Sequence, residues 1–322
     1  MDQISFLEML SQQETNLRRW GLYVSETLSD ALKHAGYADC FIKIPVVPRV
    51  KTLESARGKL IRKGYTDPLR QMTDLVGVRF VVLLTEEIGV LSKLVESCPA
   101  WEASVARDHL EERTVNTKVF DYQSKHYEIR PTAETMTLLS LDHSFCCELQ
   151  IRTLLQHAYA EMVHDNLYKP SGSVPPMAER HVARSMALIE TTDEIFSTTI
   201  ELLAQANEPR EQFKRQLQLI YERSLDSVPH ASNVKTENLI LDSFQEFVGE
   251  ESLQAIEALL RLKPYIKDKI KVRLEQPLLF RERTILFLYY LVSKLSYDEL
   301  RERWPLAGDW RSLELVKADL NA

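Results

Sequence analysis

A β-rich run that passes without a loop into a helix, CCELQIRTLLQHAYAEMVHDNLYK at residues 146–169, constrains this chain more than any other segment. In an extended strand alternate side chains share a face, so Glu148, Gln150 and Arg152 point one way while Cys147, Leu149 and Ile151 point into a core. A carboxylate, an amide and a guanidinium then line one surface. Taken alone, the same alternation also describes a solvated strand face, the usual fate of such polar residues.

Further strands are expected at FIKIPVVP (41–48), VGVRFVVLL (76–84), KVFDYQSKHYEIR (118–130) and HSFCCELQI (143–151). Apolar residues at helical spacing, Leu7, Leu10, Leu17, Trp20, Leu22, Val24, Leu28 and Leu32, predict helix over 3–35. Two more helices are expected at about 53–63 and 86–97. The mixture implies a strand-rich centre covered by helices on one side, an α+β fold. Pro170, Ser171, Gly172, Ser173, Pro175 and Pro176 break the chain after the helix that follows the 143–151 strand. From Met177 the pattern is helical, with one segment to about Ala206, another over 210–225 and shorter ones beyond a polar loop near 226–236. The expected division is a mixed domain over 1–205 and an all-α region over 206–322.

Composition narrows the function classes. Residues 1–170 hold 20 Lys/Arg against 23 Asp/Glu, and residues 171–322 hold 20 against 24, so neither half offers a broad nucleic-acid-coating surface. The four cysteines, Cys40, Cys98, Cys146 and Cys147, show no C-x-x-C spacing, which argues against a zinc site or a disulfide framework and for a reducing compartment. MDQISFLEMLSQQE lacks the basic flank and apolar run of a signal peptide, and TILFLYYLV at 284–292 is too short to span a bilayer. A soluble, cytoplasmic protein is expected.

The 146–169 segment resembles the signature of the RelA/SpoT-type nucleotide pyrophosphokinases, in which a catalytic Glu opens a Glu-x-Gln-Ile-Arg-Thr strand and a helix ending in His-x-x-x-Tyr-Lys follows. Glu148 to Thr153 match, as do Ala160, Glu161, His164, Tyr168 and Lys169. RVKTLESARGK (49–59), DLVGVR (74–79) and YQSKH (122–126) arrive in the family's order. Ordered blocks across roughly 45–170 are far more specific than a single short motif, and the resemblance ends near residue 205. It implies a mixed-sheet synthetase domain of nucleotidyltransferase-like fold.

Moving a pyrophosphoryl group to a hydroxyl calls for a divalent cation, carboxylates to hold it, and cationic side chains for the phosphates. The resemblance assigns Asp74 and Glu148 to Mg2+, with Glu148 also the base for the acceptor's 3′-hydroxyl. ATP would meet Arg49, Lys51, Ser55, Lys59 and Arg79, with Arg49 and Arg79 stacking on the adenine. Ser55 and Lys59 stand at i, i+4 on one helical face, whereas Arg57, Arg62 and Lys63 have the look of a solvated face. Lys118, Tyr122, His126, Gln150 and Arg152 fall to the acceptor side. His157, Glu161 and His164 share a helix face at a spacing that zinc tolerates, although the family pattern uses Glu161 and His164 as supporting residues.

The implied reaction is attack of a nucleotide 3′-oxygen on the β-phosphorus of ATP, releasing AMP and making (p)ppGpp from GDP or GTP. Phe120 and Asp121 stand where the family carries Asn-Gly before the stacking Tyr. That departure opens a toxin-like alternative, with the tRNA 3′ end or an adenine nucleotide as acceptor. A non-catalytic nucleotide-binding relative is the third reading. Residues 206–322 are expected to serve regulation, through self-association or a regulatory protein partner, with no membrane involved.

Overall fold

The computed structural model describes residues 3–108, 124–166, 174–225, 233–274 and 278–320. The chain divides into two compact units, Met1–Ile200 and Glu201–Ala322.

The first unit is built on five strands, β1 (Arg49–Val50), β2 (Val76–Val82), β3 (Trp101–Asp108), β4 (Lys125–Pro131) and β5 (Cys147–Thr153), in the order β1-β2-β5-β4-β3. β2 and β5 run parallel and the other pairs antiparallel. Val76, Val78, Phe80 and Val82 alternate onto one face with Cys147, Leu149, Ile151, Tyr127 and Ile129, and all are almost fully buried. That apolar face packs with α2 (Glu14–His34) and α5 (Thr85–Ser97), which supply Trp20, Val24, Leu28, Ile88, Leu91 and Val95 to one continuous core. Such alternation buries one face and leaves the other free for polar groups.

Local signals explain the helix ends. α3 (Leu53–Lys63) begins where Thr52 Oγ1 accepts from the Ser55 amide at 3.2 Å, and ends at Gly64, whose φ of 62° lies in the left-handed region. A short α4 (Pro68–Gln71) precedes β2 and α6 (Ala133–Leu139) joins β4 to β5. α7 (Leu154–Asn166) starts from the last residue of β5 through a reciprocal cap: Thr153 Oγ1 accepts from Gln156 N at 3.2 Å and Gln156 Oε1 accepts from Thr153 N at 3.0 Å.

Gly21 of α2 marks the closest approach of helix to sheet, because a Cβ there would lie 2.7 Å from Pro48 Cβ and 2.9 Å from Val76 Cγ1. Alanine would gain about 1 kcal/mol of helix propensity, but overpacking against a rigid ring and a core methyl costs ~1–3 kcal/mol. Gly21→Ala should therefore lower the melting temperature; an unchanged or raised value in a thermal melt would refute the tight contact.

Several expectations change. Residues 41–48 are not a strand: Pro45 and Pro48 remove two ladder donors, and the chain instead forms a 3-10 turn at Asp39–Phe41 and touches the sheet through Lys43 N to Val81 O at 2.8 Å. The N-terminal helix is two, α1 (Gln3–Gln12) and α2. β3 and α6 were not anticipated. The 118–130 strand begins at Lys125 in the described residues, and the last strand runs later than expected, over 147–153. The break foreseen near Ala206 does not occur: α8 (Pro176–Leu225) is one helix that accommodates Pro209. The cysteines are free, with Cys146 and Cys147 buried as packing residues whose thiols burial pushes up, that of Cys146 to about 12.

The second unit gathers α9 (Val234–Ser243), α10 (Glu250–Leu262), α11 (Tyr265–Val272), α12 (Thr284–Lys294), α13 (Tyr297–Arg303), α14 (Trp310–Leu320) and the last part of α8. Every residue of α12 from Thr284 to Val292 is buried, which makes it the central helix of this core. Polar bolts cross it: Arg283 clasps Glu237 through Nε at 2.7 Å and Nη2 at 2.8 Å, and Asp319 takes Arg273 and the Tyr289 hydroxyl. No helix among the described residues is long and apolar enough to cross a membrane. A mixed five-stranded sheet flanked by helices, with a helical C-terminal region, is the α+β architecture expected from the sequence.

Candidate active site

Alternation in β5 puts Glu148, Gln150 and Arg152 on the face opposite the core, and they form a relay. Arg152 Nη2 donates to Gln150 Oε1 at 2.8 Å, and Gln150 Nε2 donates to Glu148 Oε2 at 3.0 Å. The other Glu148 oxygen lies 3.5 Å from His126 Nδ1 on β4. Register places Glu148 between Gly77 of β2 and Glu128 of β4, and Gln150 between Arg79 and His126. Arg49, opposite Gly77 on the edge strand, extends the same row and is exposed.

A second group forms where the chain enters β2. Asp74 Oδ2 accepts from Lys51 Nζ at 2.7 Å and pairs with Lys59 Nζ at 2.9 Å. Lys59 is presented by α3, whose exposed Ser55 lies one turn earlier. Arg79 is held from α7, with Nη1 at 2.7 Å from Glu161 Oε1 and 3.5 Å from His157 Nδ1. Arg57, Arg62 and Lys63 are exposed on α3.

Both carboxyls are tuned toward the charged form. Burial alone would raise the Asp74 carboxyl, but the hydrogen bonds and charges of Lys51 and Lys59 outweigh it and hold it below the ordinary range. Burial likewise works against ionised Glu148, and the neighbouring Asp74 charge adds to that; the bonds to His126 and Gln150 prevail and lower it. The His157 ring is pushed toward its neutral form by burial, then by Arg152 and Arg79.

The residues fit a magnesium ion. Asp74 Oδ1 is buried with no hydrogen-bond partner, while both lysines sit on Oδ2, so one hard oxygen is left for a cation. Among the described residues no group of three His, Cys, Asp or Glu side chains gathers as a metal cage. Two carboxylates completed by water and phosphate oxygens are the usual magnesium arrangement in nucleotide sites.

Lys118 and Tyr122, expected on the acceptor side, lie outside the described residues, as do Phe120 and Asp121. Arg152 is only 2% exposed and meets the site face through Gln150. Sequence reasoning passed over Glu128, which alternation in His126-x-Glu128-x-Arg130 would have put on the Glu148 face, and His157 as a holder of Arg79.

A family profile described as the region found in RelA and SpoT proteins matches residues 48–173, the stretch that contains all of these groups. This chain carries a RelA/SpoT domain. Among curated proteins, the chain is similar to the GTP pyrophosphokinase YjbM of Bacillus subtilis (strain 168), 26% identical over 178 residues, 54% of this chain and 77% of that one. Small alarmone synthetase 1 from Bacillus subtilis has a similar fold, at TM-score 0.52 and 20% identity, with 62% of this chain and 99% of that chain covered. So does a GTP pyrophosphokinase family protein from Streptococcus pneumoniae, at TM-score 0.51 and 20% identity over 64% of this chain and 97% of that one.

Proposed function

We propose that this chain transfers the β,γ-pyrophosphate of ATP to the 3′-hydroxyl of GDP or GTP, making (p)ppGpp and releasing AMP. It is a pyrophosphotransferase of the RelA/SpoT type. The observation that carries the reading is the pair of ionised carboxylates, Asp74 with a free buried oxygen and Glu148 on the adjoining strand, set among Lys51, Lys59 and Arg79. Similarity to a GTP pyrophosphokinase supports the guanine acceptor.

In this reading Asp74 and Glu148 would hold Mg2+, which when bound would supply positive charge to the donor phosphates. Lys51 and Lys59 bind the donor phosphates beside Asp74, with Ser55 at the start of α3. Arg49 and Arg79 take the adenine, and Glu161 and His157 fix the plane of Arg79. The acceptor side is assigned to His126, Gln150 and Arg152, together with Lys118 and Tyr122, which lie outside the described residues. Glu148, kept ionised by His126 and Gln150, accepts the 3′-hydroxyl proton.

Phe120-Asp121 favours a second acceptor class, an adenine nucleotide or the tRNA 3′ end, as in a toxin-like relative. One experiment separates the readings: labelled ATP with Mg2+ and a panel of GDP, GTP, ADP, ATP and deacylated tRNA, with products resolved by chromatography. A guanine tetra- or pentaphosphate carries the first reading, label on tRNA or an adenine nucleotide the second. No transfer to any acceptor leaves a nucleotide-binding relative.

The helical unit from Glu201 onward is read as regulatory, through self-association or a protein partner. Every site residue named above precedes it, and its core residues are separate from those under the sheet. A chain ending near Ala206 should therefore keep pyrophosphoryl transfer, with activity raised or no longer responsive to the natural trigger. Loss of all activity in a truncation that circular dichroism finds folded would put an essential group beyond the cut.

A further inference from the structure

Asp193 of α8 is a buried carboxylate that forms no ion pair among the described residues. It is 4% exposed, its Oδ2 accepts from Thr153 Oγ1 at 2.8 Å, and its Oδ1 is buried with no hydrogen-bond partner. One turn on, Ser197 Oγ donates to Glu86 Oε2 of α5 at 2.8 Å, and the charge of that acid bears on Asp193. Burial, with Glu86 adding and Thr153 opposing, pushes the Asp193 carboxyl up to about 6. A carboxyl in that position weakens the fold at neutral pH, and a plain apolar contact would stabilise it better.

What it touches gives it a use. Thr153 is the last residue of the strand bearing Glu148, Gln150 and Arg152, and also the cap of α7, which carries His157 and Glu161 to Arg79. A threonine hydroxyl rotates freely unless its proton is directed, and here donation to Asp193 turns the Thr153 oxygen toward the Gln156 amide. β5 itself is hydrogen-bonded to β2 on one side and β4 on the other, whereas the joint where it becomes α7 is held by the Thr153–Gln156 cap and the Thr153–Asp193 bond.

We propose that Asp193 is a positioning residue: through Thr153 it fixes the joint between β5 and α7 and thereby the aim of Arg79 at the ATP side of the site. The inference rests on the active-site reading above for its effect on ATP, but the joint itself is independent of it. Loosening the joint tilts α7 and leaves Glu148 in its ladder, so the effect falls on the KM for ATP and spares kcat. Asparagine still offers Thr153 an acceptor oxygen and removes the buried charge; alanine does neither.

The test compares Asp193→Ala, Asp193→Asn and Thr153→Val in the full chain, by amide hydrogen exchange over residues 153–161 and by steady-state kinetics with ATP varied at saturating acceptor. Asp193→Ala and Thr153→Val should each speed exchange at the start of α7 by about fivefold, the scale of a lost helix cap, and raise the KM for ATP by a similar factor with kcat within about twofold. Asp193→Asn should match the wild type in both, with a higher melting temperature at pH 7.5. Unchanged exchange in a folded Asp193→Ala variant overturns the proposal, and so does a loss borne by kcat with the KM for ATP intact. Faster exchange in an enzyme whose wild type shows no use of ATP would keep the joint and remove the active-site reading instead.

Discussion

Asp74→Ala and Glu148→Gln should each slow pyrophosphoryl transfer by about 100-fold or more at saturating magnesium, because each removes a group that acts on the transition state. The two variants differ in what they leave behind. Without Asp74, Lys51 and Lys59 lose the carboxylate they share at 2.7 and 2.9 Å, and the free oxygen beside them is gone. Glutamine at 148 keeps the size of the side chain and the bond to Gln150, but carries no charge for a cation and no basic lone pair for a hydroxyl proton. Both proteins should give the wild-type circular dichroism spectrum, since Glu148 lies on the polar face of β5, Asp74 lies in the turn before β2, and neither belongs to the core. Near wild-type turnover in either variant would remove the site from this face.

Glu237→Ala should loosen the second unit by roughly 3–5 kcal/mol, the cost of leaving a buried charge without its partner. Glu237 is 1% exposed and clasps Arg283 with both oxygens; Lys214 Nζ stands 4.0 Å away and Gln218 takes another Arg283 proton. Alanine strands the Arg283 cation in a helical core, while Lys214 keeps Glu211 at 2.7 Å and Asn238 at 2.9 Å; replacing Glu237 and Arg283 together by leucine and methionine would cost far less. For a unit of this size the shift corresponds to a fall of roughly 10–20 °C in its unfolding temperature. Hydrogen exchange resolved along the chain would locate it: protection should drop across Val234–Ser243 and Thr284–Lys294 and persist in β2 and β5. Uniform protection with an unchanged melt would mean the pair contributes nothing.

The fold was legible where local chemistry and burial agree. Thr52 and Gly64 bracket α3 as cap and left-handed stop, and the alternation of β5 separates Glu148, Gln150 and Arg152 from Cys147, Leu149 and Ile151. It was illegible where tertiary pairing overrides composition. β3 is an edge strand whose middle residues are exposed, so it carries no apolar alternation to read, and the β-branched 41–48 stretch is denied strand bonding by Pro45 and Pro48. The expected break near Ala206 does not occur, because α8 continues as one helix through the exposed stretch around Pro209. At the site, motif spacing brought out Asp74, Lys51 and Lys59, which the structure gathers on one carboxylate. Asp193 gave no signal, being one acid among several on a long helix; only the depth at which it meets Thr153 distinguishes it.

The parallel pairing of β2 with β5 sets an order on how this protein is made. Gly77 lies beside Glu148, and the two are 148 − 77 = 71 residues apart in the chain. At a synthesis rate of ~5–20 residues per second, β2 emerges roughly 4–14 s before the strand that completes its ladder. During that interval Val76, Val78, Phe80 and Val82 have only the short edge strand Arg49–Val50 and the helices already made, α2 above all, for cover. Gly21, which lets α2 sit hard against Val76 and Pro48, thus shields a sticky half-sheet on the growing chain as well as tightening the finished one. Because Glu148 reaches the side of Gly77 only when β5 docks, the proposed site is incomplete on the nascent chain until its sheet has closed.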